Sequence, residues 1–187
     1  MTKWKKASNA FIYENAFGRV LDVGSGKNPY PGATTLNLNR VFVTDIIADA
    51  NKEIPVPNES FDCVIMNNVL EHLHTPQRAI DEAHRVLRQG GILLATTPFF
   101  IKLHCLPDYH RYTELALERM FQDFDTEITM PDFTLNEIHE IFQEALLSKL
   151  GRRHTIQKLL FKALNYTLPK VYHGSYPIGH FIKAVKK

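Results

Sequence analysis

Short apolar runs separated by turn-forming residues dominate the first hundred positions of the chain. RVLDVG (19–24) is an apolar run that ends in glycine, ATTLNLN (33–39) alternates and carries β-branched residues, and VFVTDII (41–47) is strongly β-prone. FDCVIMNN (61–68) and GILLATTPFF (91–100) are nearly continuous apolar strands. That is the pattern expected where helices cover both faces of a parallel sheet. Between them, TPQRAIDEAHRVLRQGG (75–91) predicts a helix. Thr75 stands at its N-cap, Pro76 at its first position, and Ile80, Ala83, His84 and Leu87 recur at helical spacing. Gly90 and Gly91 are expected to close it. The sum is an α/β sheet with right-handed crossovers.

The second half reads differently. TELALERMFQDF (113–124) is an amphipathic helix, DTEITM (125–130) a short strand, residues 134–166 mostly helical, and SYPIGHFIKAVKK (175–187) ends in a strand. No repeat, low-complexity tract or linker interrupts the chain, so residues 1–187 are read as a single domain.

Composition narrows the class. With 44% hydrophobic and 22% charged residues the chain is globular rather than disordered. Its two cysteines, Cys63 and Cys105, cannot build a disulfide framework or a four-thiolate zinc site, and Cys63 reads as a small core residue. No apolar run approaches the ~20 residues that span a bilayer, and the basic N-terminal stretch lacks the uninterrupted apolar core of a signal peptide. A cytoplasmic setting is therefore expected. The net charge is only +2, but no acid follows Glu144, whereas nine Lys or Arg do. A solvated face accounts for such a run; a surface facing an anionic acceptor is the sharper alternative. Ile156, Leu159, Leu160, Ala163 and Leu164 form an apolar stripe. It suits packing on the domain or on a second copy of the chain better than contact with a membrane surface.

The strongest local signal is Val20-Leu21-Asp22-Val23-Gly24-Ser25-Gly26-Lys27-Asn28-Pro29, a strand that runs into a G-x-G turn. Glycines let the backbone approach a ligand closely, and the carboxyl end of the first strand of an open α/β sheet is where ligands bind. Pro29 breaks the dinucleotide fingerprint, and the phosphate-cradling G-x4-G-K-[ST] is absent. Asp22, two residues before the first glycine, suits a cationic amine or sulfonium better than a pyrophosphate.

The run LDVGSG, followed by DIIADANKEIPVPNESFDCVIMNNVLEHLHTPQRAIDEAHRVLRQGGILLATTP, resembles the class I S-adenosylmethionine-dependent methyltransferases, in particular the small type 11 group. The resemblance covers residues 18–100 and resumes at 108–113 and 176–187. It implies a Rossmann-like, doubly wound seven-stranded sheet in the order 3-2-1-4-5-7-6, with strand 7 antiparallel. Within it, residues 18–100 would be the cofactor-binding half, 101–175 a substrate region with a helical lid insertion, and 176–187 the closing strand. It further implies S-adenosylmethionine as methyl donor and S-adenosylhomocysteine as product. Gly24, Ser25 and Gly26 match the turn beneath the methionine part of the cofactor, and Asp22 the acid that orients its amino end. Asp49 and Ala50 match the pair that meets the adenine, and Asn67 the position whose backbone faces the amino group. Leu70-Glu71-His72-Leu73 matches the signature lining the pocket near the sulfonium, which puts His72 on the cofactor side.

One position departs from the family. An Asp or Glu usually ends the second strand and accepts both ribose hydroxyls; register places Asn37 there. An amide offers one acceptor oxygen and two donors, so a roughly tenfold weaker cofactor is expected, unless Asn39 or Asp45 shares the task. Bland alternatives exist for other residues. Asp49 could simply turn the loop before Asn51, and His72 could be a hydrogen-bonded structural histidine. Glu71-His72-Leu73-His74 lacks the i, i+4 histidine pair of a metal motif, so no metal is expected.

Residues 98–113 pack chemistry densely: His104, Asp108, Tyr109, His110, Arg111 and Tyr112. The spacing is similar to the H-x-x-P-x-D-Y-x-R-Y-T segment that borders the active site in the type 11 group, one residue shorter. His104 or Asp108 is the expected base, with Tyr109 and Arg111 shaping the pocket. The alternative is a structural Asp108–Arg111 pair anchoring the next helix, capped by Thr113. The function these residues point to is methyl transfer to a small-molecule, glycan or lipid-linked acceptor. The competing reading is a catalytically degenerate cofactor-binding module acting as a sensor or partner subunit, and Asn37 favours it. A nucleic-acid substrate is disfavoured by the missing N-P-P-[YF] motif and the weak overall basicity.

Overall fold

Strand Val20–Val23 is buried at all four positions, as an inner strand covered on both faces must be. It lies at the centre of the computed structural model, which describes residues 3–40, 42, 44–101, 105–131 and 178–187. Ten elements follow one another: α1 (Lys3–Asn15), β1 (Val20–Val23), β2 (Thr34–Asn37), β3 (Ile46–Ile47), β4 (Phe61–Asn67), α2 (Pro76–Val86), β5 (Leu87–Pro98), α3 (Glu114–Met120), β6 (Phe124–Thr129) and β7 (Gly179–Lys186). The strands form one seven-stranded sheet in the order β3-β2-β1-β4-β5-β7-β6. The first five pair in parallel, and β7 runs antiparallel to both β5 and β6. This is the expected order, with the expected reversed strand.

One face of the sheet packs Leu21, Val23, Val64, Met66, Leu93, Ala95, Ile182 and Ala184 against Ala79, Ile80, Ala83 and Val86 of α2 and Leu117 of α3. The opposite face belongs to α1, which the hydrophobic pattern does not announce. Trp4, Ser8 and Ile12 are its buried residues, spaced one helical turn apart. Ile12 packs with Val20, Cys63, Ile65, Ile92 and Leu94, joined by Tyr30 and Ala33. Tyr30 and Ala33 lie on the connection between β1 and β2, residues 24–33, which contains no helix. Parallel strands are usually joined by a helical crossover; here α1, arriving from the other direction along the chain, covers the surface such a helix would take.

Several expected boundaries move. The helix expected over 75–91 ends at Val86, and Gly90 and Gly91 lie inside β5 rather than beyond a helix. Leu87 already pairs with Phe61, and the register then slips before Cys63 meets Ile92. Gly90, at φ 73°, takes up that irregularity. Among the described residues of the β-prone run 41–47, Ile46 and Ile47 are strand. Before them the Asp45 carboxylate accepts from the Thr35 backbone N–H and hydroxyl, both at 2.8 Å. Thr75 does stand at the N-cap of α2, but its hydroxyl bonds Asn51 instead of the helix. Thr113 does cap α3, accepting from the Ala116 N–H at 3.3 Å. The helices expected over 134–166, and with them the lid insertion and the apolar stripe, lie outside the described residues.

At the start of β7, Gly179 sits where a Cβ would come within 2.4 Å of both the Thr97 carbonyl oxygen and the Trp4 ring. Gly179→Ala is expected to lower stability by about 1–3 kcal/mol, as over-packing does. The check is a lower urea midpoint at unchanged m-value.

Candidate active site

The carboxyl edge of β1 is built around a buried acid. Asp22 accepts from the Tyr30 N–H at 2.8 Å. Burial pushes its carboxyl up to about 6, against the pull of that bond. Beyond it, Gly24 and Gly26 adopt φ 66° and 59°, left-handed conformations that a side chain resists. The Gly24 N–H donates to the Leu36 carbonyl at 2.7 Å, closing the turn onto β2. A Cβ on Gly24 would lie 2.8 Å from Val69 Cγ2, whereas one on Gly26 would meet only the Gly24 carbonyl oxygen, at 3.9 Å. The turn thus presses against the segment leaving β4 at one glycine and opens at the other.

Asn37, at the end of β2, is drawn into this turn. Its oxygen accepts from the Gly26 N–H at 3.2 Å. Its amide donates to the Ser25 hydroxyl at 2.9 Å and the Thr44 hydroxyl at 3.1 Å. One acceptor and both donors are engaged, so the residue braces the turn. Of the two residues that could share the ribose-binding task, Asp45 accepts from Thr35 through one carboxylate oxygen, and Asn39 is exposed and accepts from Thr44 through its backbone carbonyl.

Asp49 accepts from the backbone N–H and the side-chain amide of Asn51. Those two bonds hold its carboxyl below the usual range. Asn51 in turn accepts from the Thr75 N–H at 3.0 Å, which ties this loop to the start of α2, with Ala50 buried beneath. Asn67, at the end of β4, accepts from the Thr96 hydroxyl at 2.7 Å and from the Asn68 amide at 2.8 Å.

After β4, residues 70–72 form a single 3-10 turn, and the segment 107–112 wraps around it. The backbone N–H groups of Tyr109 and His110 donate to the Glu71 carbonyl, and the Tyr112 hydroxyl donates to the Leu70 carbonyl at 2.8 Å. His72 Nδ1 lies 2.6 Å from the Pro107 carbonyl oxygen. A carbonyl can only accept, so Nδ1 carries the proton. Asp108 and Arg111 form a bidentate ion pair, at 2.5 and 2.8 Å, with the Asp108 side chain wholly buried. Tyr109 is exposed. His104 lies outside the described residues. The geometry of Asp108, Arg111 and the Thr113 cap is that of the structural alternative, and a carboxylate held at both oxygens by a guanidinium is a weak base.

Glu71 was not singled out by sequence reasoning. Its side chain is completely buried. Burial, and secondarily the nearby Asp108, push its carboxyl up to about 8, although its own backbone bond and Arg111 pull the other way. His72 Nε2 lies 3.7 Å from its Oε1. The available signal was an acid set among apolar residues, Val69-Leu70-Glu71-His72-Leu73.

The family described as "methyltransferase domain", type 11, matches residues 19–95, from the start of β1 into β5. Over that stretch the chain is similar to the type 11 methyltransferases. It is 44% identical over 102 residues to a probable S-adenosylmethionine-dependent methyltransferase of Mycolicibacterium smegmatis. That match takes in 54% of this chain and 40% of the relative's length. It is 23% identical over 186 residues to a demethylmenaquinone methyltransferase of Tropheryma whipplei, covering 87% of this chain and 76% of that one. Among solved structures, a methyltransferase of Thermotoga maritima, described as a possible histamine N-methyltransferase, superposes with a TM-score of 0.65 at 14% identity. That superposition covers 98% of this chain and 89% of the other, and it speaks for the fold.

S-adenosylmethionine is the methyl donor of the family that residues 19–95 match, and the carboxyl edge of β1 offers residues that fit it. A buried acid with a raised pKa precedes two left-handed glycines, and a Cβ on the second would meet nothing nearer than 3.9 Å. That suits the ammonium end of the cofactor. Asn37 stands where the family's ribose-binding acid is expected, and its side chain bonds Gly26, Ser25 and Thr44.

Glu71 sets a pH dependence on stability. Its carboxyl titrates near 8 in the folded chain and near 4.5 in the unfolded one. The folded state therefore holds a proton the unfolded chain releases. The stability this gives is complete below about 4.5 and is lost as pH rises to about 8. Glu71→Gln is expected to abolish this slope, gaining on the wild type at pH 8.5 relative to pH 5 in urea denaturation.

Proposed function

We propose that this chain transfers a methyl group from S-adenosylmethionine to a small-molecule, glycan or lipid-linked acceptor. The observation that carries the reading is the buried Asp22 beneath the double-glycine turn, set against the segment that leaves β4. The relative matched over most of both chains is named for a quinone-type acceptor, demethylmenaquinone, which supports a small molecule.

When bound, the cofactor supplies a methyl group already activated by a sulfonium charge. The protein's part is to orient, to exclude water and to handle the acceptor's proton. Asp22 would balance the cofactor's ammonium. Gly24, Ser25 and Gly26 would pass beneath its methionine part, and the Asn67 backbone would border it. Asp49 and Ala50 would meet the adenine. On the acceptor side, Asp108 and Arg111 hold the 107–112 segment in shape, and Tyr109 is free to contact an acceptor. For a hydroxyl acceptor, His72 is the described group suited to take the proton. Its Nδ1–H is donated to Pro107, so Nε2, 3.7 Å from Glu71 Oε1, is the basic nitrogen of the ring. His104 is a second candidate for this role.

Calorimetric titration with S-adenosylmethionine and S-adenosylhomocysteine tests the reading, with micromolar binding of both expected. Affinity should fall as pH drops below about 6, because Asp22 must lose a proton to meet a cation. Asp22→Asn should bind about tenfold more weakly and without that pH dependence. Gly24→Val should abolish binding, since its side chain would occupy the place of Val69 Cγ2. Absence of binding by the folded wild type would overturn the reading, whereas binding without methyl transfer to any acceptor would favour the catalytically degenerate cofactor-binding module.

A further inference from the structure

Helix α1 reaches the carboxyl end of β4 through two hydrogen bonds that span almost sixty residues or more of sequence. Trp4 Nε1 donates to Asn68 Oδ1 at 3.0 Å, and the Asn67 amide donates to Asn9 Oδ1 at 3.3 Å. Asn68 is left-handed, at φ 56°, a conformation that a non-glycine residue keeps only when its surroundings hold it. Here they do. Its N–H donates to the Thr96 carbonyl and hydroxyl, both at 3.1 Å, its amide to Asn67, and its oxygen is taken by Trp4. The next residue is Val69, whose Cγ2 presses on Gly24. Trp4 is itself fixed: its ring lies 5.4 Å from that of Phe181, against Gly179. A continuous chain of contacts therefore runs from α1, through the Asn67–Asn68 corner and Val69, to the glycine turn.

We infer that Trp4 and Asn9 are positioning residues for the cofactor pocket, acting through the Asn67–Asn68 corner. This rests on the reading of that pocket as a site for S-adenosylmethionine. The helix also packs on β1 itself, Ile12 against Val20, but its Trp4 and Asn9 bond the corner after β4 rather than the glycine turn. It fixes the wall opposite the turn, so that Val69 and the Asn67 backbone stand where the cradle needs them. Loss of the Trp4 donor leaves a left-handed residue without one of its restraints, and the corner can relax away from Gly24.

The chain contains a single tryptophan, so its emission reports Trp4 alone. In the full-length wild type, saturation with S-adenosylhomocysteine should change that emission. Trp4→Phe keeps a ring but removes the donor. It should bind S-adenosylhomocysteine about fivefold more weakly, the loss of about one hydrogen bond. Asn9→Ala, at a half-exposed position, should weaken binding in the same direction with an unchanged thermal midpoint, which separates positioning from folding. Asn68→Gly takes the left-handed conformation without help, so in that background Trp4→Phe should no longer alter affinity. Wild-type affinity in both Trp4→Phe and Asn9→Ala, with emission unmoved by ligand, would overturn the inference while leaving the cofactor site intact. A folded wild type that binds no S-adenosylhomocysteine in calorimetry would remove the site itself, and the inference with it.

Discussion

The approach of Gly24 to Val69 is the contact on which the rest of the site depends. It joins the end of β1 to the end of β4 without an intervening side chain, and it holds only because one partner has no Cβ. Each flank of the contact is braced separately. On the β1 side the Gly24 N–H is tied to Leu36 and the Gly26 N–H to Asn37. On the β4 side Asn68 is tied to Thr96 and to Trp4. Two short left-handed segments thus face one another, unstrained at Gly24 and Gly26 and strained at Asn68. Strain of this kind persists where surrounding structure over-determines it, as at ligand clamps.

The acceptor side is organised by a different principle. The 3-10 turn at 70–72 and the 107–112 segment exchange backbone hydrogen bonds, with charge buried between them. The Asp108–Arg111 pair is satisfied within itself, so removing one partner would leave an uncompensated buried charge. Glu71 escapes the same penalty by holding a proton through neutrality. The two neighbouring carboxyl groups thus meet burial differently, Asp108 through its guanidinium partner and Glu71 through the neutral form that burial favours.

Much of the architecture was legible because it rests on local pattern. The continuous apolar runs placed β1, β4 and β5, and the family resemblance supplied the strand order that hydrophobicity alone could not. The glycine turn and Asp22 were readable because backbone conformation and residue type coincide there. The misses have a common cause in long-range pairing. Gly90 and Gly91 look like a helix stop, but β5 begins earlier because Leu87 finds Phe61. Helix α1 carries too weak a stripe to announce itself, and its place comes from tertiary contacts with strands far along the chain. Asn37 could be flagged as a departure, yet its work as a brace emerged only with Ser25, Gly26 and Thr44 in view. Glu71 was passed over because burial, which defines it, is not a property of a residue letter.

The position of β7 has a consequence for assembly. It lies between β5 and β6, and Ile92–Pro98 must meet Gly179–Val185 before β6 can join the sheet at all. Until those late residues emerge, β5 presents an open, apolar edge with its ladder of N–H and carbonyl groups exposed, a template for pairing with another chain. Closing so distant a pairing is slow. The nascent polypeptide therefore passes through a stage in which most of the fold exists while its central strand is still vulnerable to intermolecular association. That window is a property of topology, independent of how stable the finished domain is.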